Sequence, residues 1–220
     1  MRKPFPLSDP SSTPEPLTFA EAEKLLLLLL EEQPKDRGAT LQRLCQLYAR
    51  AGRHDLAIAR LREVFAMPLE LEFKAACALA MGGYAEQSGD FLGAVAYYEE
   101  TLSLKPTHPA TIYFANNNLG YSLNQLGRFV EGEAFCRAAV PILPERPNAH
   151  KNLGLALAGQ GRWREAAACY VEATRVCPGD PRSCALLETL LRDHPELVAE
   201  FGELARASRS AVGGARAWAN

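Results

Sequence analysis

The sequence predicts an all-α chain folded as a solenoid of stacked antiparallel helix pairs. Three observations point to it. First, one stretch recurs four times in tandem. "LGLALAGQGRWREAAACYVEATRVCP", from Leu153, lies over "LGYSLNQLGRFVEGEAFCRAAVPILP", from Leu119. That lies over "MGGYAEQSGDFLGAVAYYEETLSLKP", from Met81, and that over "LCQLYARAGRHDLAIARLREVFAMPL", from Leu44. Second, each copy carries a glycine, Gly52, Gly89, Gly127 or Gly161, followed two residues on by a ring, His54, Phe91, Phe129 or Trp163. Third, residues of minimal bulk recur where the two helices of a pair would cross. They are Cys45, Gly82, Gly120 and Gly154 on the first helix, and Ala57, Ala94, Gly132 and Ala166 on the second. A unit repeated at this period cannot bury its apolar face alone, so neighbours must stack.

Each element has a local reason. Residues 1–17 are rich in proline and serine and are expected to be disordered. Residues 18–36 look like the second half of a unit. Thr18 and Glu21 form a capping box, Ala22 takes the small crossing position and Pro34 the stop. Six leucines, Leu25 to Leu30, cover every face of that helix at 100° per residue. Either the proline-rich N-terminus folds over the surplus, or Leu25, Leu27, Leu28 and Leu30 form a surface for self-association or a partner.

Four full units follow, at 38–71, 75–108, 113–146 and 147–180. The four glycines end the first helices, where left-handed backbone is cheap only for glycine. Pro106, Pro144 and Pro178 stop the second helices. Three residues are added near 72–74 and four near 109–112, about one helical turn each, which predicts longer first helices in units two and three. Pro141 falls inside a second helix and predicts a bend or an end there. Residues 181–208 should cap the stack, and 209–220 read as a flexible tail.

Composition excludes several classes of function. Hydrophobic content of 48%, charged content of 23% and a formal net charge of −2 describe a globular chain with no basic patch, so no nucleic-acid partner is expected. The leucine run is too short to span a bilayer, and the start lacks the apolar core of a signal peptide. The six cysteines make no C-x-x-C pair and read as small core side chains in a reducing, cytoplasmic setting. His54, His108, His150 and His194 make no metalloprotease spacing, and no nucleophile elbow or phosphate loop is present. No catalytic residue, metal or cofactor is expected.

The repeated unit resembles the tetratricopeptide repeat, a helix-turn-helix of about 34 residues, across all four copies. The resemblance implies a right-handed superhelix whose concave surface is lined by the first helix of each unit. By that phasing, the groove residues are Gln42, Gln46, Ala49 and Arg50 in unit one, and Leu79, Gly83, Glu86 and Gln87 in unit two. Unit three supplies Phe114, Asn117, Asn118, Tyr121, Asn124 and Gln125, and unit four supplies Asn148, Lys151, Asn152, Leu155 and Ala158. An amide side chain can bond both the N–H and the C=O of an extended peptide. Asn118 and Asn152 could instead bond neighbouring helices, so Asn117, Asn124 and Asn148 carry more weight as groove residues. Some family members grip a C-terminal carboxylate with basic residues. Here Gln42, Gln46, Ala80, Phe114 and Asn118 stand at those places, and only the scattered Arg50 and Lys151 could serve instead, which argues against such a clamp.

The function expected is therefore a non-catalytic adaptor or scaffold that binds a protein or an extended peptide. Two alternatives stand beside it. One is an assembly chaperone for bacterial secretion or pilus machinery, by analogy of fold. The other is a self-associating subunit, in the simplest case a homodimer, joined through the leucine-rich helix.

Overall fold

The computed structural model describes residues 17–32 and 37–217, and among these there are eleven α-helices and no strand. Helix α1 spans Phe19–Glu32, α2 Arg37–Arg50, α3 His54–Phe65, α4 Leu71–Gln87, α5 Phe91–Ser103 and α6 Pro109–Gln125. Then come α7 Phe129–Ala139, α8 Pro147–Gly159, α9 Trp163–Val176, α10 Pro181–Asp193 and α11 Val198–Ala217. Each helix packs on the next, and α4, α6, α8 and α10 also touch one another in sequence. This is the contact pattern of a solenoid, and the architecture is the right-handed one expected.

Local chemistry sets the ends. The Thr18 amide donates to Glu21 Oε2 at 2.9 Å and the Glu21 amide to Thr18 Oγ1 at 3.4 Å, a reciprocal cap on α1. Gly52, Gly89, Gly127 and Gly161 all have positive φ, between 71° and 82°, at the ends of α2, α4, α6 and α8. Helices α4 and α6 are 17 residues each against 14 for α2 and 13 for α8, so the inserted turns lengthen the first helices of units two and three. Helix α7 stops at Ala139, two residues before Pro141, and is the shortest of the second helices at 11 residues. The stop in that unit is thus Pro141 and not Pro144.

The crossing glycines make room for something specific. A methyl group built on Gly82 would overlap the ring of Tyr98, and one on Gly154 the ring of Tyr170. On Gly120 it would strike Cys136 Sγ and come within 2.9 Å of the Gly132 carbonyl oxygen. Only the α6–α7 pair therefore uses its glycines for backbone contact; the other two admit a buried tyrosine.

The ring that opens each second helix reaches forward to the following unit. His54 stacks on Tyr84 at 5.9 Å and Phe91 meets Tyr121 edge-on at 6.1 Å. Phe129 lies against Gly159, and Trp163 stacks on His194 at 4.2 Å. These contacts bridge successive units and fix the step between neighbouring pairs.

The two ends differ from expectation in part. Along α1, Phe19, Leu26 and Leu30 pack on the core beneath α2 and α3, while Leu25, Leu27 and Leu28 remain 48%, 38% and 44% exposed. Leu30 thus leaves the candidate self-association surface, because a stripe spaced by four and seven positions faces one neighbour. Residues 1–16, offered as its cover, and the stop at Pro34 lie outside the described residues. At the other end α11 continues to Ala217, past Ser208 where the tail was expected to begin. That stretch contains Gly213 and Gly214. The alanines and arginines around them are strong helix formers, and a glycine costs only about 1 kcal/mol in a helix.

Candidate functional site

The concave surface offers two cavities that share α4. The first, of about 240 Å³, lies between α2 and α4 and is lined by Gln42, Cys45, Gln46, Leu61, Phe73, Ala76, Cys77, Ala80 and Tyr84. It is mainly apolar, with Gln42 and Gln46 supplying amides and Phe73 39% exposed. The second, of about 160 Å³, is lined by Glu86 of α4, Asn117, Asn118 and Tyr121 of α6, Asn148, Lys151 and Asn152 of α8, and Arg182 of α10. Every residue that lines it is polar, and they come from four successive first helices or their equivalent.

A hydrogen-bonded chain forms the floor of the second cavity. Tyr98 OH donates to Glu86 Oε2 at 3.0 Å and accepts from Asn118 Nδ2 at 3.4 Å. Asn117 Nδ2 donates to Asn118 Oδ1 at 2.8 Å, and Asn152 Nδ2 to Asn117 Oδ1 at 3.1 Å. Asn124 Nδ2 ties the backbone carbonyl of Asn152 at 2.9 Å. The chain crosses units two, three and four, so it holds the helices in register as well as presenting polar atoms. Burial pushes the Glu86 carboxyl above the usual carboxylate range, although the Tyr98 hydroxyl works against that.

Of the residues expected in the groove, Gln42 and Gln46 border the apolar cavity, and Asn117, Asn118, Tyr121, Asn148, Lys151 and Asn152 line the polar one. Arg50 and Gln125 are exposed but line neither. Asn124 is buried and turned toward α7 and α8, its Oδ1 facing Gly132, so it cannot meet a partner directly. Asn117 and Asn152 are also buried, and they show a partner only the parts of their amides that the chain above leaves free. Phe114 packs on the cluster of Tyr113, Ala139 and Ala149 beneath the Arg146 guanidinium, away from both cavities. In unit two Glu86 lines the polar cavity, Leu79 joins the core formed with Tyr98 and Leu119, Gly83 and Gln87 line neither cavity, and the apolar one is bordered by Phe73, Ala76, Ala80 and Tyr84. Arg182 had no place in the sequence reading. It stands one repeat step beyond Asn148, so extending the period once more into the cap would have found it.

Among the described residues no group of three His, Cys, Asp or Glu side chains is close enough to hold a metal ion. All six cysteines are unpaired. Burial pushes the Cys136 thiol up to about 12, far from a reactive thiolate. No helix among the described residues is long and apolar enough to cross a membrane.

The helical stack has counterparts among known proteins. The structure of MamA from Desulfovibrio magneticus RS-1, from its residue 41 to the end, shares 21% identity with this chain. The superposition covers 80% of this chain and 97% of that one, with a TM-score of 0.65. The first TPR of Spaghetti (RPAP3), solved bound to the HSP90 peptide SRMEEVD, covers 56% of this chain and 94% of its own at 19% identity, with a TM-score of 0.50. Both likenesses concern the fold. Human tetratricopeptide repeat protein 7B is 31% identical over 100 residues, 46% of this chain, and the match spans only 11% of that protein's length. Two sequence models of the tetratricopeptide repeat match, one at residues 43–109 and 79–150 and the other at 147–180. Together they run from residue 43 to 180, well over half of the 220 residues, and the chain belongs to the tetratricopeptide repeat family.

Proposed function

We propose that this chain is a non-catalytic scaffold that holds an extended segment of a partner protein along its concave groove. The observation that carries the reading is the pairing of cavities on one surface, an apolar one at α2 and α4 beside a polar one reaching from α4 to α10. An extended chain can seat an apolar side chain in the first and pair backbone groups with the amides of the second. The solved neighbour that carries an HSP90 peptide supports peptide binding on this fold. The amides and small residues at the carboxylate-clamp places point to a different ligand chemistry from that tail.

The test is capture from the native host with the full chain as bait. Changing Phe73 to Glu places a charge in the apolar cavity, and changing Asn148 to Trp fills the mouth of the polar one. Each is expected to reduce the captured partner at least tenfold while leaving the melting temperature within a few degrees, because both side chains are partly exposed. An identical set of captured proteins from wild type and both variants would defeat the groove reading.

A second reading rests on α1, where Leu25, Leu27 and Leu28 face solvent together with Leu17. An apolar surface of this kind can join two copies. Light scattering is then expected to give a dimer for the wild type and a monomer for the Leu27→Glu, Leu28→Glu double variant. A wild-type chain that is already monomeric at working concentration refutes this reading.

A further inference from the structure

Lys151 and Arg182 both line the polar cavity, and their situations differ in a telling way. Lys151 is only 6% exposed, yet its ammonium makes one hydrogen bond among the described residues, to Asp180 Oδ2 at 2.7 Å. An ammonium has three donors, and leaving the others dry in a buried site is costly. Asp180 is occupied elsewhere as well, for it caps α10 through the amides of Arg182 and Ser183 and accepts from the Ser183 hydroxyl. The Arg182 guanidinium has no hydrogen bond or ion pair among the described residues. Beside these two cations stands the Asn148 side chain, which is exposed and likewise unbonded among them.

The opposite wall has the opposite sign. Glu86 projects from α4, held by the Tyr98 hydroxyl. The cavity is therefore polarised, negative at α4 through Glu86 and positive at α10, where Asp180 offsets the Lys151 charge and Arg182 supplies the uncompensated cation. At about 160 Å³ it is smaller than the pockets that enclose a drug-sized ligand, and it suits a single side chain.

We infer that the cavity receives the side-chain carboxylate of an internal aspartate or glutamate in the bound segment, held by Arg182, Lys151 and Asn148. This rests on the groove reading above and deepens it. The guanidinium can take a carboxylate in two parallel hydrogen bonds, and the free ammonium donors complete its coordination. Glu86 repels an acid from the α4 end, so the segment binds in one direction, with its apolar residue toward α2 and its acid toward α10. Asn118 and Tyr121 between them meet the intervening backbone.

The experiment is selection from a library of random peptides whose carboxy termini are fused to a phage coat protein, so that only side chains can supply the acid. The full chain is immobilised, and the Arg182→Glu variant is run in parallel after its melting temperature is matched to the wild type. The wild type is expected to enrich peptides with an apolar residue and an acid at a fixed separation. Arg182→Glu is expected to lose the acid and keep the apolar preference. In a selected peptide, replacing the acid by its amide should weaken binding about tenfold or more, and added salt should erase much of that difference. Enrichment of apolar residues with no acid overturns this inference and leaves the groove reading standing. An acid preference that survives Arg182→Glu places the carboxylate elsewhere and overturns it too. No enrichment on the wild type defeats both.

Discussion

Replacing Asp180 by alanine is expected to lower the free energy of unfolding by about 3–5 kcal/mol, the range for stranding one member of a buried ion pair. Its partner Lys151 is 8% exposed in its side chain and Asp180 18%. The change also removes the cap on α10, where a capping side chain is worth about 1 kcal/mol. Stability in a stacked-repeat protein is a sum of units and nearest-neighbour interfaces, so the loss should be local. Hydrogen exchange is expected to rise in α8, α10 and α11 and to change little in α2 and α3. The double variant Lys151→Met, Asp180→Ala should recover most of the loss, since an apolar side chain leaves no charge behind.

The same pair predicts a pH dependence. Burial pushes the Asp180 carboxyl up, but hydrogen bonds from Lys151 and Ser183 outweigh it and hold the group below its ordinary value. A depressed folded value means the unfolded chain takes up the proton first. The stabilisation is complete above the unfolded value, about 3.9, and is lost as pH falls through the folded one. Denaturation curves of wild type and Asp180→Ala should stand apart at neutral pH and converge in acid. A constant gap, or a neutral-pH gap below about 1 kcal/mol, would make this pair no more than a surface contact.

Tyr170→Ala is expected to cost about 3–5 kcal/mol, as for other large buried rings, because its side chain fills the crossing of α8 and α9 and is 2% exposed. The informative result lies in combining it with Gly154→Ala. In the wild type that methyl group overlaps the Tyr170 ring, and the overpacking should cost about 1–3 kcal/mol. Without the ring the obstacle is gone, and alanine is worth about 0.5–1 kcal/mol more than glycine in a helix. Gly154→Ala should therefore destabilise the wild type and stabilise Tyr170→Ala, a change of sign that urea denaturation resolves. Gly120→Ala should show no such reversal on truncating Cys136, because there the Gly132 carbonyl also stands in the way. A cost for Gly154→Ala in both backgrounds would mean that α8 and α9 touch through backbone after all.

Much of the fold was legible because its signals are local. The left-handed glycines, the Thr18–Glu21 cap, the added turns in α4 and α6 and the break before Pro141 each follow from a few neighbouring residues. The groove was less legible. Asn117, Asn118, Asn124 and Asn152 have the same chemistry, and the repeat period places them within one turn of two candidate faces. Which amide bonds a neighbouring helix depends on how far that helix is rotated and how closely it approaches. Asn124 turned inward because Gly132 leaves space beside it, and Asn117 because Asn152 comes within 3.1 Å.

By itself, then, the sequence determined that helices form here, where most of them stop, and that they must stack, since those outcomes depend on backbone preference and on an apolar stripe that repeats. Only the tertiary structure decided which polar side chains remain free. That choice is made across units, where Arg182 of the cap lines one cavity with Lys151 from the preceding unit and Glu86 from one much earlier in the chain. The physical reason is that a hydrogen bond needs its partner within about 3 Å, and the summed rotations of the intervening helix pairs set that distance.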